Sequence, residues 1–212
     1  MIVGVIDYGL GNIASVAHAI ERLGFSPVMI KSALDLNLAN VLILPGVGNF
    51  KHSMLLLEKG NWRQAIQDHV LGLNKPILGI CLGMQLLATS GHEGSEDVLN
   101  DGLGLIDGQV LSLRSLGCRQ RIPHIGWNNV NHVKSSGLNM FRGIPNGTDF
   151  YFVHSFAFVT DNTEHTVAKV EHQINSAAAV QFGSIWGVQF HPEKSQQAGL
   201  KLLNNFLEYA TC

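Results

Sequence analysis

The sequence has 212 residues, of which 46% are hydrophobic and 14% are charged, and its formal net charge at pH 7 is −2. This length is enough for one α/β domain with a full core, and the near-neutral charge argues against nucleic-acid binding. The charged fraction lies below the ~25% that is usual for soluble domains, which favours either a partner-covered surface or a dense α/β core.

Cysteine usage and the shortness of the apolar runs predict a cytoplasmic location. The first apolar run covers residues 2–6 and ends at Asp7, so no signal peptide is predicted. No apolar stretch approaches the ~20 residues that a membrane span requires, and we expect no membrane association. Cys81, Cys118 and Cys212 form no paired framework, as is typical of a reducing compartment, and the last two are expected to be bystanders.

Strands and helices alternate along the first half of the chain. A short buried strand at residues 2–6 leads through a glycine-rich turn into a helical pattern that begins at Ile13 and stops at Gly24. The elements predicted after it are strands at residues 27–30, 41–44 and 76–80, helices at residues 54–57 and 62–73, and a helix directly after Cys81. This alternation predicts right-handed crossovers and an open, twisted, mostly parallel sheet flanked by helices.

The second half of the chain has a different pattern, which predicts additional antiparallel strands. Ser195 is a candidate N-cap for a last helix. The predicted strands lie at residues 103–106, 150–153, 166–170 and 178–182, with a hairpin turn at residues 183–184 into a strand at residues 185–190. No linker, repeat or low-complexity stretch stands out, so residues 1–212 are interpreted as one domain.

Cys81 is the first candidate for chemistry. It lies between Gly79 and Gly83, where a buried strand ends and a helix is predicted to begin. A sharp turn of this kind exposes one side chain above the sheet, as in a nucleophile elbow. The free N–H groups at the start of the following helix favour a negative sulfur. A buried structural cysteine is the alternative, and the flanking glycines favour the nucleophile.

His191 and Glu193 are the candidates that would activate such a cysteine. His191 ends a hydrophobic strand, and Pro192 favours extended geometry before it, so both side chains are expected to point the same way. The imidazole would act as general base and then as general acid, with the carboxylate holding its tautomer. A surface turn is the alternative. Metal binding is not expected, because no Cys/His pair has the spacing of a zinc site.

The glycine-rich turn at residues 45–48 follows a predicted strand, at the edge where ligands bind in open α/β sheets. The backbone N–H groups of Gly46, Val47 and Gly48 are candidates for an oxyanion site, together with the N–H of Leu82. An ordinary strand-to-helix turn is the alternative. A phosphate loop is disfavoured, because the turn lacks the Lys-Ser/Thr ending.

Three segments carry a family resemblance, namely residues 45–48, residues 79–85 and residues 191–193. Together they resemble the class I (triad-type) glutamine amidotransferases. Three further segments resemble the glutaminase subunit of imidazole glycerol phosphate synthase, namely DYGLGN at residues 7–12, PHIGWN at residues 123–128 and YFVHS at residues 151–155. The match runs along nearly the whole chain, with the motifs in the expected order.

The resemblance implies an enzyme that hydrolyses L-glutamine to glutamate and ammonia without a cofactor, with Cys81, His191 and Glu193 as its triad. It also implies that the turn at residues 45–48 undergoes a peptide flip before it stabilises the oxyanion, which its glycines permit. The positions that match substrate-binding residues of the family are Gln85, Val153, His154 and Ser155.

The resemblance further implies a heterodimer with a cyclase subunit that has a (β/α)8 barrel. Ammonia would pass into this barrel and join a ribulosyl-aminoimidazole carboxamide nucleotide, which gives imidazole glycerol phosphate and AICAR in histidine biosynthesis. The positions that match the interface are Asn12, Trp127, Asn128 and Lys194. Without the surrounding motif, Trp127 would be interpreted as an aromatic residue of the hydrophobic core.

Two residues depart from the family pattern. Phe156 stands where many relatives have tyrosine, so one polar contact would be missing, and Asp107 stands where the histidine-pathway enzymes commonly have proline. Asp107 mildly favours a paralogous subunit that supplies ammonia for bacterial surface-sugar biosynthesis. Two other classes are alternatives. A non-catalytic binding subunit is disfavoured by the intact triad, and a cysteine peptidase would use a histidine closer to Cys81, such as His92.

Overall fold

A computed structural model of the chain describes residues 1–94, 99–133 and 140–211, so Cys212 lies outside the described residues. The strands of the first half are β1 (Val3–Ile6), β2 (Pro27–Ile30), β3 (Val41–Gly46), β4 (Ile77–Cys81), β5 (Ala88–Gly91), β6 (Asn100–Asp101) and β7 (Ile106–Ser112). Those of the second half are β8 (His124–His132), β9 (Thr148–His154), β10 (Phe156–Thr160), β11 (Thr166–His172), β12 (Ile174–Phe182) and β13 (Ile185–Val188).

Helices and short turns connect these strands. The α-helices are α1 (Ile13–Arg22), α2 (Phe50–Lys59), α3 (Trp62–Gln67), α4 (Leu82–Leu86) and α5 (Gln196–Tyr209). Short 3₁₀ segments cover Ala33–Leu38, Thr163–His165 and Pro192–Lys194, and a π turn covers Asp68–Gly72.

The main sheet has nine strands in the order β2-β1-β3-β4-β13-β12-β11-β8-β9. Its first five strands are parallel and its last four pair antiparallel, which confirms the predicted mixed α/β architecture. A second sheet, with the order β10-β7-β5-β6, lies beside it. The carboxyl ends of the parallel strands β3 and β4 therefore meet at one edge, where ligands bind in folds of this type.

The core fills both faces of the parallel half of the main sheet. Val3 and Val5 of β1 belong to a buried cluster that includes residues of α1 and α5. Leu42 and Leu44 of β3 belong to a second buried cluster, formed with residues of α2, α3 and α4. Because successive side chains of a strand point to opposite faces, coverage on both sides requires the continuous apolar runs that the sequence shows.

Several element bounds differ from the prediction. The helix expected at residues 62–73 ends at Gln67, and the chain continues as a π turn in which the backbone N–H of Leu73 donates to the Asp68 carbonyl. The helix after Cys81 has only five residues. The strand expected at residues 103–106 begins instead at Ile106.

One further expectation is corrected by the structure, and one strand was not expected. Ser195 occupies the N-cap position of α5 without capping it, since its Oγ donates to the His191 carbonyl and accepts from the Tyr151 N–H. The long strand β8 was not predicted, because its three asparagines, two histidines and glycine are residue types that strands use sparingly or without preference. Pairing with β9 and β11 holds β8 in the sheet.

No helix of the described residues is long and apolar enough to cross a membrane.

Candidate active site

The candidate nucleophile lies at a sharp turn between β4 and α4. Cys81 has φ +56° and ψ −111°, a backbone conformation that a non-glycine residue adopts only under constraint. The turn requires glycine at two positions, because there is no room for a Cβ. A Cβ added at Gly83 would lie 1.8 Å from the Leu44 carbonyl oxygen, and one added at Gly79 would lie 2.6 Å from the Gly83 carbonyl oxygen. This is the strand-to-helix geometry that the two glycines predict.

Sheet pairing brings the candidate base to the nucleophile. Strand β13 pairs with β4 in parallel, with Val188 opposite Ile80, so His191 follows the end of one strand and Cys81 ends the other. The chain then turns sharply. Only His191 keeps extended dihedrals, because Pro192–Lys194 forms a 3₁₀ turn rather than the extended segment expected from the sequence.

Despite that turn, the imidazole and the carboxylate meet. His191 Nδ1 lies 2.8 Å from Glu193 Oε1, and both side chains are almost completely buried. The Asn12 side-chain amide also donates to Glu193 Oε1, at 3.1 Å. A carboxylate oxygen only accepts, so Nδ1 of His191 carries the proton and Nε2 is left for other partners. Within the described residues, Nε2 has no hydrogen-bond partner.

The charge state of His191 follows from competing effects. Burial by itself lowers the pKa of the imidazole, but the Cys81 sulfur and the Glu193 carboxylate favour the protonated ring more strongly and raise its pKa to about 9. The raised pKa suits His191 to hold the proton that a nucleophile in this cavity gives up.

A cavity of about 280 Å³ opens above the nucleophile. Cys81, His191 and Leu82 line it together with Val47 and Gly48 of the glycine-rich turn. Gly46 is the last residue of β3, and a Cβ there would lie 2.7 Å from the Gly83 backbone nitrogen, so this position requires glycine for close packing. Gly48 instead requires it for its φ of +103°.

The expected substrate-binding residues line the same cavity. These residues are Gln85, Val153, His154 and Ser155. The Val153 carbonyl lies 3.7 Å from Cys81 Sγ. Phe156, which departs from the family pattern, also lines the cavity, whereas Asp107 is an exposed residue of β7.

Two further polar residues near the nucleophile were missed in the sequence. Glu93 lines the cavity, accepts a 2.8 Å hydrogen bond from the Phe50 N–H and has a pKa raised by burial. Its neighbour His92 instead donates its backbone N–H to the Val110 carbonyl. Gln189 is fully buried, and its Nε2 lies 3.9 Å from Cys81 Sγ. The only available signal for Gln189 was its position two residues before His191.

Of the expected interface residues, Trp127 and Lys194 are exposed, and Asn12 and Asn128 are partly buried. Trp127 on β8 is 49% exposed and its neighbour Ile125 is 60% exposed, which contradicts the alternative of a core aromatic for Trp127. Lys194 is exposed, with its Nζ 5.9 Å from the centre of the Tyr151 ring. Asn128 is partly buried and donates to the Glu171 carbonyl at 2.7 Å.

The other described cysteine, Cys118, lies in a separate small cluster with Leu113 and Ala157. Among residues 1–94, 99–133 and 140–211, no group of three or more His, Cys, Asp or Glu side chains is placed to hold a metal ion.

Comparison with known proteins identifies the family. Residues 4–210 match the family described as glutamine amidotransferase class-I. The chain is 43% identical over 205 residues to imidazole glycerol phosphate synthase subunit HisH 1 of Campylobacter jejuni (strain RM1221), a match that covers 97% of this chain and 98% of the relative. It is 41% identical over 206 residues to subunit HisH of Bdellovibrio bacteriovorus, with 96% and 98% covered.

Solved structures share the fold at lower identity. A structure described as a glutamine amidotransferase superposes with a TM-score of 0.71 at 20% identity, covering 99% of each chain. A chain in the structure of PurLQS from Thermotoga maritima gives a TM-score of 0.73 at 20% identity, covering 98% of each chain.

Proposed function

The chain belongs to the class I glutamine amidotransferase family, and on that premise we propose that its cavity hydrolyses L-glutamine to glutamate and ammonia. The observation that carries this proposal is the His191–Glu193 pair. Its imidazole has no other partner at Nε2 among the described residues, and His191 lines the same cavity as Cys81. We further propose that residues 1–212 form a single glutamine amidotransferase domain, in keeping with the family match over residues 4–210.

The reaction proceeds in two halves. The Cys81 sulfur attacks the side-chain amide carbon of glutamine, and the C–N bond of the resulting tetrahedral intermediate breaks as His191 gives its proton to the leaving ammonia. Water then attacks the thioester and passes a proton to His191, and the C–S bond breaks to give glutamate. Glu193 holds the imidazole in the required tautomer throughout.

Backbone N–H groups stabilise the negative oxygen of each tetrahedral intermediate by hydrogen bonding. The N–H of Leu82 follows the nucleophile directly, and the turn containing Gly46, Val47 and Gly48 supplies the second donor. The positive φ at Gly48 is compatible with a change of peptide orientation in this turn, because glycine adopts both signs of φ at low cost.

The remaining cavity residues bind the rest of the glutamine molecule. Gln85 and the backbone of the segment formed by Val153, His154 and Ser155 hold the substrate. The Glu93 carboxylate, which the cavity wall brings near them, suits the α-ammonium group of an amino acid. Recognition of both ends of the substrate then limits the reaction to glutamine-like molecules.

The ammonia is transferred to a second subunit. The relatives named HisH are imidazole glycerol phosphate synthase subunits, and we assign this chain the same role in a cytoplasmic heterodimer with a (β/α)8-barrel cyclase. The acceptor is then a ribulosyl-aminoimidazole carboxamide nucleotide, and the products are imidazole glycerol phosphate and AICAR. Because Asp107 departs from the pattern of the histidine-pathway enzymes, a precursor of bacterial surface sugars is a second candidate acceptor. Amination of one acceptor and not the other by the purified complex distinguishes them.

Trp127 of β8, Lys194 of the Pro192–Lys194 turn and the partly buried Asn12 and Asn128 form the partner surface in this proposal. Trp127 supplies a large apolar contact area, and Asn12, Asn128 and Lys194 supply polar contacts. Exposed tryptophan costs free energy in the isolated chain, and contact with a barrel subunit removes it from water.

The glutaminase proposal is tested by removing the thiol. Purified wild-type, Cys81→Ala and Cys118→Ala chains are supplied with L-glutamine, with and without the cyclase partner, and glutamate release is measured. We expect Cys81→Ala to lose at least about 1,000-fold in turnover, as triad nucleophile substitutions do. Cys118→Ala, which removes a buried thiol that does not line the cavity, controls for loss of a cysteine as such. Unchanged turnover in Cys81→Ala would remove Cys81 from the mechanism.

A further inference from the structure

Two buried histidines form a hydrogen-bonded chain between Asn128 of β8 and the cavity. His154 Nδ1 lies 2.8 Å from the Phe156 carbonyl oxygen, and His154 Nε2 lies 3.0 Å from His124 Nδ1. His124 Nε2 in turn lies 3.2 Å from the Asn128 side-chain amide nitrogen. Both rings are buried, with 4% of His124 and 6% of His154 exposed.

The direction of each hydrogen bond follows from the chemistry of the end groups. A carbonyl oxygen only accepts, so His154 donates through Nδ1 and its Nε2 must accept. His124 therefore donates through Nδ1 and accepts at Nε2, where the Asn128 amide nitrogen donates. All donors and acceptors match when both rings are neutral. Burial lowers the pKa of His124 to about 4 and that of His154 to about 3, which keeps them neutral at physiological pH.

The cavity end of the chain leads to the nucleophile. The Phe156 carbonyl that accepts from His154 also accepts from Gln85 Nε2, at 3.0 Å. Gln85 Nε2 donates in addition to Gln189 Oε1, at 2.9 Å, and Gln189 Nε2 lies 3.9 Å from Cys81 Sγ. The Gln85 side chain is thus held from two sides by groups that are themselves fixed.

The other end of the chain is Asn128, a partly buried residue of β8. Its side chain lies on the same face of the strand as His124, opposite the exposed Trp127, and donates its second amide proton to the Glu171 carbonyl, at 2.7 Å. His124 is stacked between Phe152 and His172, with ring centres 5.0 and 4.3 Å away. These contacts leave the imidazoles little freedom, so a displacement of Asn128 changes the His124–His154 hydrogen bond.

We propose that His154 is a positioning residue. Through the Phe156 carbonyl it fixes the Gln85 side chain in the glutamine cavity, and through His124 it connects that side chain to Asn128, a partly buried residue of β8. This inference rests on the proposed glutaminase function. Contact at β8 then alters substrate binding through a continuous set of hydrogen bonds rather than by reaching the cavity itself.

Substitutions at His154 separate this role from simple packing. His154→Phe keeps an aromatic ring and removes both hydrogen bonds, whereas His154→Asn keeps a donor near the Nδ1 position. We expect His154→Phe to raise KM for glutamine about tenfold, with kcat changed less than about threefold, because Gln85 loses its fixed partner. His154→Asn should return KM to within about twofold of the wild type.

Substitution at His124 tests the connection to β8 separately. His124→Phe preserves the ring stack and leaves the His154–Phe156 hydrogen bond in place, so KM in the isolated chain should stay near that of the wild type. The stimulation of glutaminase turnover by the cyclase partner and its nucleotide should fall by at least about threefold, because the connection is cut. If His154→Phe does not fold, His154→Leu, which also lacks both ring nitrogens, takes its place in the KM measurement.

His69→Phe is the matched control. His69 is a buried histidine of the Asp68–Gly72 π turn, and among the described residues neither of its ring nitrogens has a hydrogen-bond partner. KM and stimulation should be unchanged in this variant. A His154→Phe KM within twofold of the wild type, or a His154→Asn chain as impaired as His154→Phe, would overturn the proposal. Unaltered stimulation in His124→Phe would overturn the connection to β8. A wild-type chain without glutaminase activity would contradict the proposed function instead.

Discussion

The chain buries histidines in two neighbouring regions and gives them opposite charge preferences. In the first region, His191 has a pKa raised to about 9. In the second, the pKa values of His124 and His154 are lowered to about 4 and about 3. All three residues are nearly inaccessible to solvent, so the extent of burial does not explain the difference.

The neighbours of each ring explain it. Burial lowers the pKa of all three imidazoles, but His191 faces the Glu193 carboxylate and the Cys81 sulfur, which favour a positive ring. His154 faces a carbonyl group and other histidines, whose charges oppose its protonation. One region is therefore suited to proton transfer, and the other is suited to fixed hydrogen bonds between neutral groups.

The largest effect on this comparison is expected from Glu193→Gln, which removes the carboxylate charge and keeps the side-chain size. We expect the pKa of His191 to fall toward the values of the second region, and kcat for glutamate release to drop by about 10³–10⁴, as when a triad carboxylate becomes an amide. NMR titration of the His191 ring and steady-state kinetics measure the two effects. Glu164→Gln, at an exposed position, is the control. A His191 pKa that stays near 9 would show that the carboxylate is not responsible.

A smaller effect is expected from Gly48→Ala. This substitution should slow catalysis without changing the pKa values of His191, His124 or His154. A Cβ at Gly48 meets no atom within 4 Å, but φ is +103°, so the added strain is about 1–3 kcal/mol. Gly24→Ala is the matched control, since Gly24 follows α1 with φ +84° and equally open space. We expect both variants to lose similar stability in urea unfolding. Only Gly48→Ala should lose turnover, by about 100-fold if an oxyanion donor is misplaced. Equal turnover losses in both would contradict the oxyanion role.

The smallest effect concerns the pH dependence of stability, on which the two regions act with opposite signs. The folded-state pKa values of His124 and His154 lie below the unfolded value of about 6.5, so the unfolded chain binds more protons and stability falls as the pH drops from 6.5 toward 4. The folded-state pKa of His191 lies above 6.5, so its stabilising contribution is complete below pH 6.5 and is lost as the pH rises through about 9.

Replacing one histidine of the second region separates these contributions. Between pH 6.5 and 5, His124→Phe should lose less stability than the wild type, by about 1 kcal/mol per pH unit, since one proton fewer is taken up on unfolding. Urea unfolding of both chains at pH 7, 6 and 5 measures the difference. Identical pH slopes would show that His124 titrates normally in the folded chain.

Much of the catalytic half could be predicted from the sequence because its determinants are local. The apolar runs of the parallel strands, the alternation with helices and the glycines around Cys81 each constrain the backbone over a few residues. The turn at Cys81 therefore follows from Gly79 and Gly83, which allow backbone approaches that a Cβ would prevent. The candidate roles of His191 and Glu193 came from the same kind of short motif.

The second half was harder to predict because long-range pairing determines it. Strand β8 contains residue types that strands do not favour, and pairing with β9 and β11 decides its conformation. Glu93 and Gln189 have no local pattern that indicates a role. Their position near Cys81 depends on where distant segments cross.

The sequence by itself determined the family resemblance, the parallel sheet and the sharp turn at the nucleophile, because sterics and hydrophobic periodicity act between near neighbours. Only the tertiary structure decided which histidines are charged and which are neutral. The proton affinity of a buried imidazole depends on the groups that face it, and these groups come from strands that are distant in sequence and adjacent in the sheet.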